Sequence, residues 1–484
     1  MTRRMQSIRA AILFAACVGS SQAADQLTVR QAMDRALAAN PSFRSQAIEL
    51  RKQELEKEIA RGQHWPKVDL NAGYTRYAYP SLVTPIREAG VFPPLDRDVA
   101  YLGLALSMPL YAGGKLVAGD SLAEHGRQAA EHGLRGAGQD LLFNVAAAYT
   151  KALHLRDLQD SARARIKALK TEEGHVSQRL AQGRAAKLEL IRLQTQLSQA
   201  RHDLLAIEQG ERDALSLLSA LLGESRELPP LAGVALSRVA LPATREDALA
   251  KAMRAHPELL RARALGQVAT DKANIARGEQ RPQVNLVART QESAGGDLKG
   301  YGDAMIGIQV SIPLFDGSIR GNRLAQADLE RRRSELVVEE TANELASEVE
   351  RAYGAVSESR ARQAVADQGE REAREAQRIE SARYEAGEST MTDLLSAEAA
   401  LWSARVNRLQ AGYDVIVSQA RLLRATGELS AQDFELPKSA ASNASAEIRD
   451  TAPIARGEEY VPFHRPYGSV TLANGSRVGQ GAMQ

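Results

Sequence analysis

The segment "LSMPLYAGG", residues 106–114, returns in altered form as "VSIPLFDGS", residues 310–318. In both copies an alternating apolar run reaches a proline, and a glycine follows four residues later. Each copy stands just before a long segment without proline, residues 110–228 and 314–436. Because proline and glycine interrupt regular structure, the pattern predicts that a strand stops and a long helix begins, and that this happens twice.

The rest of the chain is duplicated in the same way. "ALAANPSF" around Pro41 returns as "AMRAHPEL" around Pro257, and "IARGQHWPKVDLNAGYTR" from Ile59 returns as "IARGEQRPQVNLVARTQE" from Ile275. The repetition predicts two structural repeats, residues 24–229 and 230–437. Each is expected to hold a helix, a β-hairpin and a long helical hairpin, with the β-hairpins at 67–109 and 283–313 and the helical hairpins at 113–223 and 317–427.

The predicted strands alternate between apolar and polar residues. Val68, Leu70 and Tyr74 share one face, with Asp69 and Asn71 on the other, and the second repeat follows the same rule at Ile306, Ile308 and Val310. In a soluble sandwich the apolar face turns inward, whereas in an outer membrane barrel it faces lipid. The alternation alone leaves both interpretations open.

The proline-free segments carry the apolar spacing of coiled coils. Residues at alternating intervals of four and three form seams, which are Leu141, Val145, Ala148, Ala152 and Leu155 in one arm and Leu190, Leu193, Leu197, Ala200 and Leu204 in the other. Glycine motifs, "RLAQGRAAKLEL" around Gly183 and "RYEAGESTMTDLL" around Gly387, divide each segment. This predicts hairpins with arms of about 60 residues, each on the order of 90 Å long.

The ends of the chain and its charge give further limits. Arg3, Arg4 and Arg9 precede a short apolar stretch, which predicts a signal peptide over residues 1–23, although a lipoprotein signal with Cys17 at the new N-terminus is an alternative. Residues 438–484 have no repeat partner and are expected to be a partly disordered tail. A net charge of +2 gives no reason to expect nucleic acid as a partner.

No motif for chemistry emerges. The sequence lacks a phosphate-loop motif, and no serine or cysteine stands in a nucleophile motif. His125 and His132 lie seven residues apart on a predicted helix, and no nearby carboxylate is expected to complete a metal site with them. We therefore expect no enzyme activity, no cofactor and no metal site.

Taken together, the duplication, the "NP" and "HP" helix openings, the paired "MPLYAGG" and "IPLFDGS" turns and "RYEAGESTMTDLLSAEAALWSAR" resemble the TolC-like outer membrane efflux protein family. The resemblance runs from about Leu27 to Phe434. It implies a mainly α fold with four β-strands per chain, and a homotrimer that forms one twelve-stranded membrane barrel continued by an α-helical periplasmic tunnel. The number of strands agrees with a trimer, because four strands cannot close a barrel, whereas twelve strands form a barrel wide enough to conduct solutes.

The resemblance also implies a function. The expected role is the outer membrane exit duct of a tripartite efflux system, which works with a periplasmic adaptor and an inner-membrane transporter. Two alternatives stay open from the sequence. One is the outer membrane duct of a type I protein secretion system, and the other is a soluble periplasmic coiled-coil scaffold.

Family members close their tunnel at the hairpin tips. By resemblance, Tyr384 and Asp393 match a gate tyrosine and a ring aspartate, and Glu189 takes the corresponding acidic position. Ser389 and Ser396 stand where the family has a gate arginine and a second ring aspartate, so different closing bonds are expected, through Arg184 or Lys187. The plainer alternative is that Glu189 and Asp393 are solvated coiled-coil residues. The other candidates are tip or adaptor contacts (Gly183, Arg184, Gly387, Glu388 and Ser389) and strand-to-helix turns (Pro109, Gly113, Pro313 and Gly317).

Overall fold

The computed structural model describes residues 26–224, 228–236 and 241–435. The predicted signal peptide with Cys17 and the predicted tail 438–484 lie outside these residues. The described chain is mainly helical and carries one four-stranded sheet. The helices are α1 Val29–Ala39, α2 Pro41–Gly62, α3 Lys115–Ala181, α4 Lys187–Leu222, α5 Arg245–Ala255, α6 Pro257–Gly278, α7 Ile319–Glu385 and α8 Met391–Ala425. The strands are β1 Lys67–Leu82, β2 Leu95–Tyr111, β3 Ala235–Leu236, β4 Gln283–Ala294, β5 Gly300–Ser311 and β6 Phe434–Glu435, and Ala431–Asp433 form a 3₁₀ turn.

The four long strands form an antiparallel sheet in the order β1-β2-β4-β5. Its register places Leu70 beside Leu104, and Leu286 between Met108 and Ile308. Residues paired in this way share a face, so these side chains build one apolar face. The opposite face carries the polar or small row Asn71, Gly103, Gln291 and Asp303.

Within one chain the apolar face of the sheet is uncovered. Leu70 is 67% exposed and Ile306 is 76% exposed. Strands β1 and β5 stand at the two edges, each paired on one side only in the described chain. A long sheet with an exposed apolar face and two edges unpaired within the described chain is a surface suited to contact with an apolar partner and with further strands.

The strand-to-helix turns differ in detail between the repeats. Strand β2 continues past Pro109 through a register shift and ends at Tyr111, whereas β5 ends at Ser311, before Pro313. Gly113 then adopts φ +67° and Gly317 φ +66°. These left-handed conformations suit glycine, because a Cβ would crowd the following carbonyl.

The helical hairpins have unequal arms. Helices α3 and α7 contain 67 residues each, about 100 Å of helix, but the returning helices α4 and α8 contain 36 and 35. The expectation of two arms of about 60 residues was wrong for α4 and α8. The remaining length of α3 packs against α2 and α6, and α7 packs against α6.

Asn40 explains where the first short arm ends. Its side-chain nitrogen donates to the Leu221 carbonyl at the end of α4, 2.9 Å away, and its side-chain oxygen accepts from the Phe43 amide at the start of α2. One residue thus caps two helix ends, and α2 continues where α4 stops. In the second repeat His256 caps α6 through the Glu258 amide, and Gly427 lies against Pro257.

The two predicted coiled-coil seams are buried, that of α3 in the largest apolar cluster and that of α4 in a smaller one. Leu141, Val145 and Ala152 are buried in the largest apolar cluster, and Leu345, Val349 and Ala352 in a second one. Tyr149 is fully buried, with its hydroxyl 2.5 Å from the Leu27 carbonyl oxygen and 2.7 Å from that of Ala232. None of the described helices has a stretch long and apolar enough to cross a membrane.

Candidate functional site: the hairpin tips

The two helical hairpins turn at similar tips. Gly183, with φ +71°, follows α3, and Gly387, with φ +80°, follows α7. At each tip the amide of the residue after the glycine donates a hydrogen bond to a carbonyl of the preceding helix. Arg184 donates to Arg179 and Glu388 donates to Arg383, both over 2.8 Å. A Cβ on either glycine would meet no atom within 4 Å. The glycines are therefore required by backbone conformation and leave open space beside the turns.

A small apolar cluster joins the tips of the two hairpins. Side chains from all four long helices contribute to it, and they are Leu169, Val176, Leu193, Leu197, Ala200, Tyr384, Met391 and Leu394. The cluster is separate from the two other apolar clusters, which lie at the middle of α3 and α7 and toward the far ends of α4 and α8. A few apolar contacts hold the tips together, so polar contacts here have a large effect on whether the tips stay joined.

Tyr384 on α7 bonds to Glu189 on α4. The tyrosine hydroxyl donates to Glu189 Oε2 over 3.0 Å, and the ring is 7% exposed. Burial and the Glu189 hydrogen bond raise the pKa of Tyr384 to about 12, so the hydroxyl keeps its proton at neutral pH. The Arg179 guanidinium lies 4.8 Å from the ring centroid, in cation–π contact. The structure thus brings together two of the three gate candidates.

Asp393, the third candidate, lies at the start of α8. Its carboxylate accepts from the Thr390 amide (3.2 Å) and hydroxyl (2.6 Å), while the Thr390 oxygen accepts from the Asp393 amide, which makes a capping box. The hydrogen bond from the Thr390 side chain lowers the pKa of Asp393 below its ordinary value. Within one protomer Asp393 therefore caps a helix and does not join the Tyr384–Glu189 contact.

A second polar contact crosses between the hairpins. The Arg192 guanidinium of α4 donates to the Thr392 hydroxyl of α8. At the tips of one protomer, the arginines that contact the other hairpin are Arg192 and Arg179. Closing bonds through Arg184 or Lys187 stay a prediction. Ser389 donates to the Glu380 carboxylate, and Ser396 donates to the Thr392 carbonyl at 2.8 Å. Each of these serines bonds within its own hairpin.

His125 departs from expectation in another part of the chain. Its Nδ1 lies 2.7 Å from the Asp271 carboxylate on α6, so it does have a carboxylate neighbour. The partner is 146 residues away, and only the packing of α6 on α3 brings the two together. No group of three or more metal-ligating side chains occurs in the part of the chain that the structure describes.

Comparison with known proteins gives related channels. The family model for outer membrane efflux proteins matches residues 32–224 and 248–428. The outer membrane efflux protein BepC of Brucella suis is 23% identical over 433 residues, 89% of this chain and 91% of BepC. The alkaline protease secretion protein AprF of Pseudomonas aeruginosa is 29% identical over 314 residues, 62% of this chain and 64% of AprF. The outer membrane protein TolC of Vibrio cholerae is 25% identical over 378 residues, 76% of this chain and 83% of TolC.

The fold agrees with a solved channel. The crystal structure of the Campylobacter jejuni CmeC outer membrane channel superposes with a TM-score of 0.74, at 17% identity, over 87% of this chain and 89% of CmeC. The family model spans both repeats of the chain, including the paired glycine tips at Gly183 and Gly387. The chain therefore belongs to the outer membrane efflux protein family, a family of channels and not of enzymes, and is an efflux channel of the outer membrane that extends into the periplasm.

Proposed function

We propose that three copies of the chain form one exit duct of a tripartite efflux system. The duct conducts passively what an inner-membrane transporter and a periplasmic adaptor deliver to it. The observation that carries the proposal is the sheet with two free edges and an exposed apolar face. Its four strands per chain make twelve in a trimer.

The free edges argue for closure between copies. Unpaired backbone groups in hydrocarbon cost several kcal/mol each, so a sheet cannot sit in lipid with open edges. Pairing β5 of one copy with β1 of the next satisfies both edges at once. The exposed residues Leu70 and Ile306 then face lipid, and the row of Asn71, Gln291 and Asp303 faces the interior.

The helices support the same assembly. Several large apolar side chains on α2, α4 and α7 are exposed in one chain, among them Ile48, Leu55, Leu205, Leu336 and Val365. Contact with neighbouring copies would bury them, as adjoining helices of one tunnel require. Helices of about 100 Å extend the duct well beyond the roughly 30 Å hydrocarbon core.

We place the gate at the hairpin tips. The Tyr384–Glu189 and Arg192–Thr392 bonds each join one hairpin to the other, so breaking them frees the tips to separate. The adaptor is proposed to dock on the exposed turns, at Gly183, Arg184, Gly387, Glu388 and Ser389. In a trimer three Asp393 carboxylates repeat around one axis, and such a ring favours cations.

The proposed gate is tested by single-channel recording in planar bilayers. Tyr384→Phe removes the hydroxyl, and Arg192→Leu removes the guanidinium, so each variant is expected to conduct more than the wild-type channel, and the double variant most of all. Arg212→Leu is the matched control, because Arg212 is an exposed arginine on the same helix that contacts Gln209 of its own helix. Wild-type conductance in the double variant would contradict this gate.

A second transport role has specific support. AprF, to which this chain is similar, is named as an alkaline protease secretion protein. The alternative function is therefore the outer membrane duct of a type I protein secretion system. Cross-linking in cells followed by identification of the bound transporter separates the two: an ATP-driven protein exporter would favour secretion. The soluble scaffold considered from the sequence is excluded, because the family is one of outer membrane channels.

A further inference from the structure

The connection between β1 and β2 reaches across the end of the sheet. Residues 83–94 leave β1, but Arg87 within them contacts β5, which is two strand positions beyond β2. Neighbouring strands lie about 4.8 Å apart, so the segment crosses on the order of 10 Å to reach β5. A connection that only joined β1 to β2 would not need this path.

Two contacts of Arg87 hold the segment in place. The Arg87 guanidinium donates to the Gly302 carbonyl, and it lies 3.6 Å from the Asp303 carboxylate. Beside the segment, the Asp96 carboxylate at the start of β2 accepts from the Gly296 amide at 2.6 Å, which ties the start of β2 to the β4–β5 connection. Val83, at the start of the segment, is 4% exposed.

The segment lies on the polar side of the sheet. Asp303 pairs with Gln291 in the row that includes Asn71, and Tyr301 pairs with Ser293 on the same side. Between the segment and Tyr301 is a cavity of about 330 Å³, lined also by Phe92. Pro85, Pro93 and Pro94 fix backbone angles in the segment and stiffen it.

We propose that residues 83–94 form an inward strap that narrows the outer exit of the duct, with the Arg87–Asp303 pair as its latch. The inference rests on the proposed function, in which the polar side of the sheet lines the aqueous interior. Three copies would place three straps around the exit, at the opposite end from the hairpin tips. The latch therefore sets an upper size for solutes that leave the duct. Both partners are about half exposed, so salt weakens the latch.

The test uses the full chain in planar bilayers, in the Tyr384→Phe/Arg192→Leu background, because a closed gate would otherwise limit the current. Arg87→Glu is expected to raise conductance and to admit larger polyethylene glycols than the parent channel. Arg87→Glu combined with Asp303→Arg restores the pair and should return both values to those of the parent. Arg87→Gln, which only removes the charge, should give an intermediate result.

Arg76→Glu is the matched control. Arg76 pairs with Asp98 on the apolar side of the same end of the sheet, 3.7 Å apart, so the same charge change there should leave the exit size unaltered. Parent values in Arg87→Glu would overturn the strap, while raised conductance in the parent over wild type would still support the proposed gate. Failure of every variant to form a channel would overturn the proposed duct and the strap with it.

Discussion

At the scale of single residues, the duplication provides a matched pair. Tyr149 and Tyr353 occupy corresponding positions 204 residues apart, and each hydroxyl contacts a backbone carbonyl. Tyr149 is fully buried between two carbonyl oxygens, and burial raises the pKa of its hydroxyl far above the ordinary value. Tyr353 is half-buried and contacts the Ala243 carbonyl at 3.2 Å. The two tyrosines are therefore expected to contribute differently to the stability of the fold.

Tyr149→Phe is expected to lower the free energy of unfolding by about 1–3 kcal/mol, because the Ala232 carbonyl loses its hydroxyl donor, while the Leu27 carbonyl keeps the Ala232 amide as a donor. Tyr353→Phe should cost clearly less, since water reaches that site. Urea unfolding of the purified protein in detergent, followed by circular dichroism, measures both. Equal shifts in the midpoint would contradict the role assigned to Tyr149.

The Tyr384 hydroxyl gives a pH prediction. Its pKa is about 12 in the fold against 10.0 for an unperturbed tyrosine, so the protonated form is favoured in the closed tip. The contribution of the hydrogen bond is therefore complete below pH 10 and is lost as the pH rises toward 12. Loss of the proton also places a phenolate beside the Glu189 carboxylate, which repels it.

Wild-type channels are accordingly expected to conduct more as the pH is raised from about 10 to 12, and Tyr384→Phe channels should lack this component. Bilayer recordings at stepped pH on the periplasmic side measure it. An alkaline rise of the same size in both proteins would assign it to another group.

At the scale of elements, the end of α4 explains why the hairpin arms are unequal. Gly183 and Gly223 both adopt left-handed backbone angles, with φ +71° and +68°. A Cβ at Gly183 meets open space, but at Gly223 it would lie 2.9 Å from the Ala39 carbonyl oxygen. Gly223 lies where the chain before α2 packs against the end of α4.

Gly183→Ala is expected to lose about 1–3 kcal/mol of stability from backbone strain alone. Gly223→Ala should lose more, because the contact with Ala39 must also shift. Paired measurements of urea midpoints in detergent test this. A larger loss at Gly183 than at Gly223 would contradict the junction described for α4 and α2.

Much of the architecture could be predicted from local pattern. Period-two alternation located the strands, the 3.5-residue spacing located the buried seams, and the repeat located the paired turns. The ends of α4 and α8 lie within two residues of the predicted hairpin ends at 223 and 427, but the packing of α2 and α6 along the rest of α3 and α7 could not be predicted. The heptad spacing predicts which residues are buried, but it does not predict which helix packs against them.

The candidate site was predictable only in part. Tyr384 and Glu189 were named through resemblance to a family, and their contact spans 195 residues of sequence. Arg192 and Thr392 are 200 residues apart and belong to no shared motif, so nothing local marks them as partners. Asp393 shows the converse, because "STMTD" carries a local capping signal that accounts for its hydrogen bonds in one protomer.

At the scale of the whole molecule, a single chain leaves strand edges unpaired and apolar surface exposed in the part that the structure describes. The sheet has two free edges and an exposed apolar face, and large apolar side chains stand exposed along the helices. The proposed assembly of three copies in the outer membrane would complete all of them with one arrangement. The proposed gate and the proposed strap would then lie at opposite ends of one passage.

The most direct test of this assembly is the native mass of the protein extracted from isolated outer membranes in mild detergent, corrected for bound detergent. The account predicts three chains per particle in the outer membrane fraction. A particle of one or two chains, or a protein recovered in the soluble periplasmic fraction, would contradict the twelve-stranded duct.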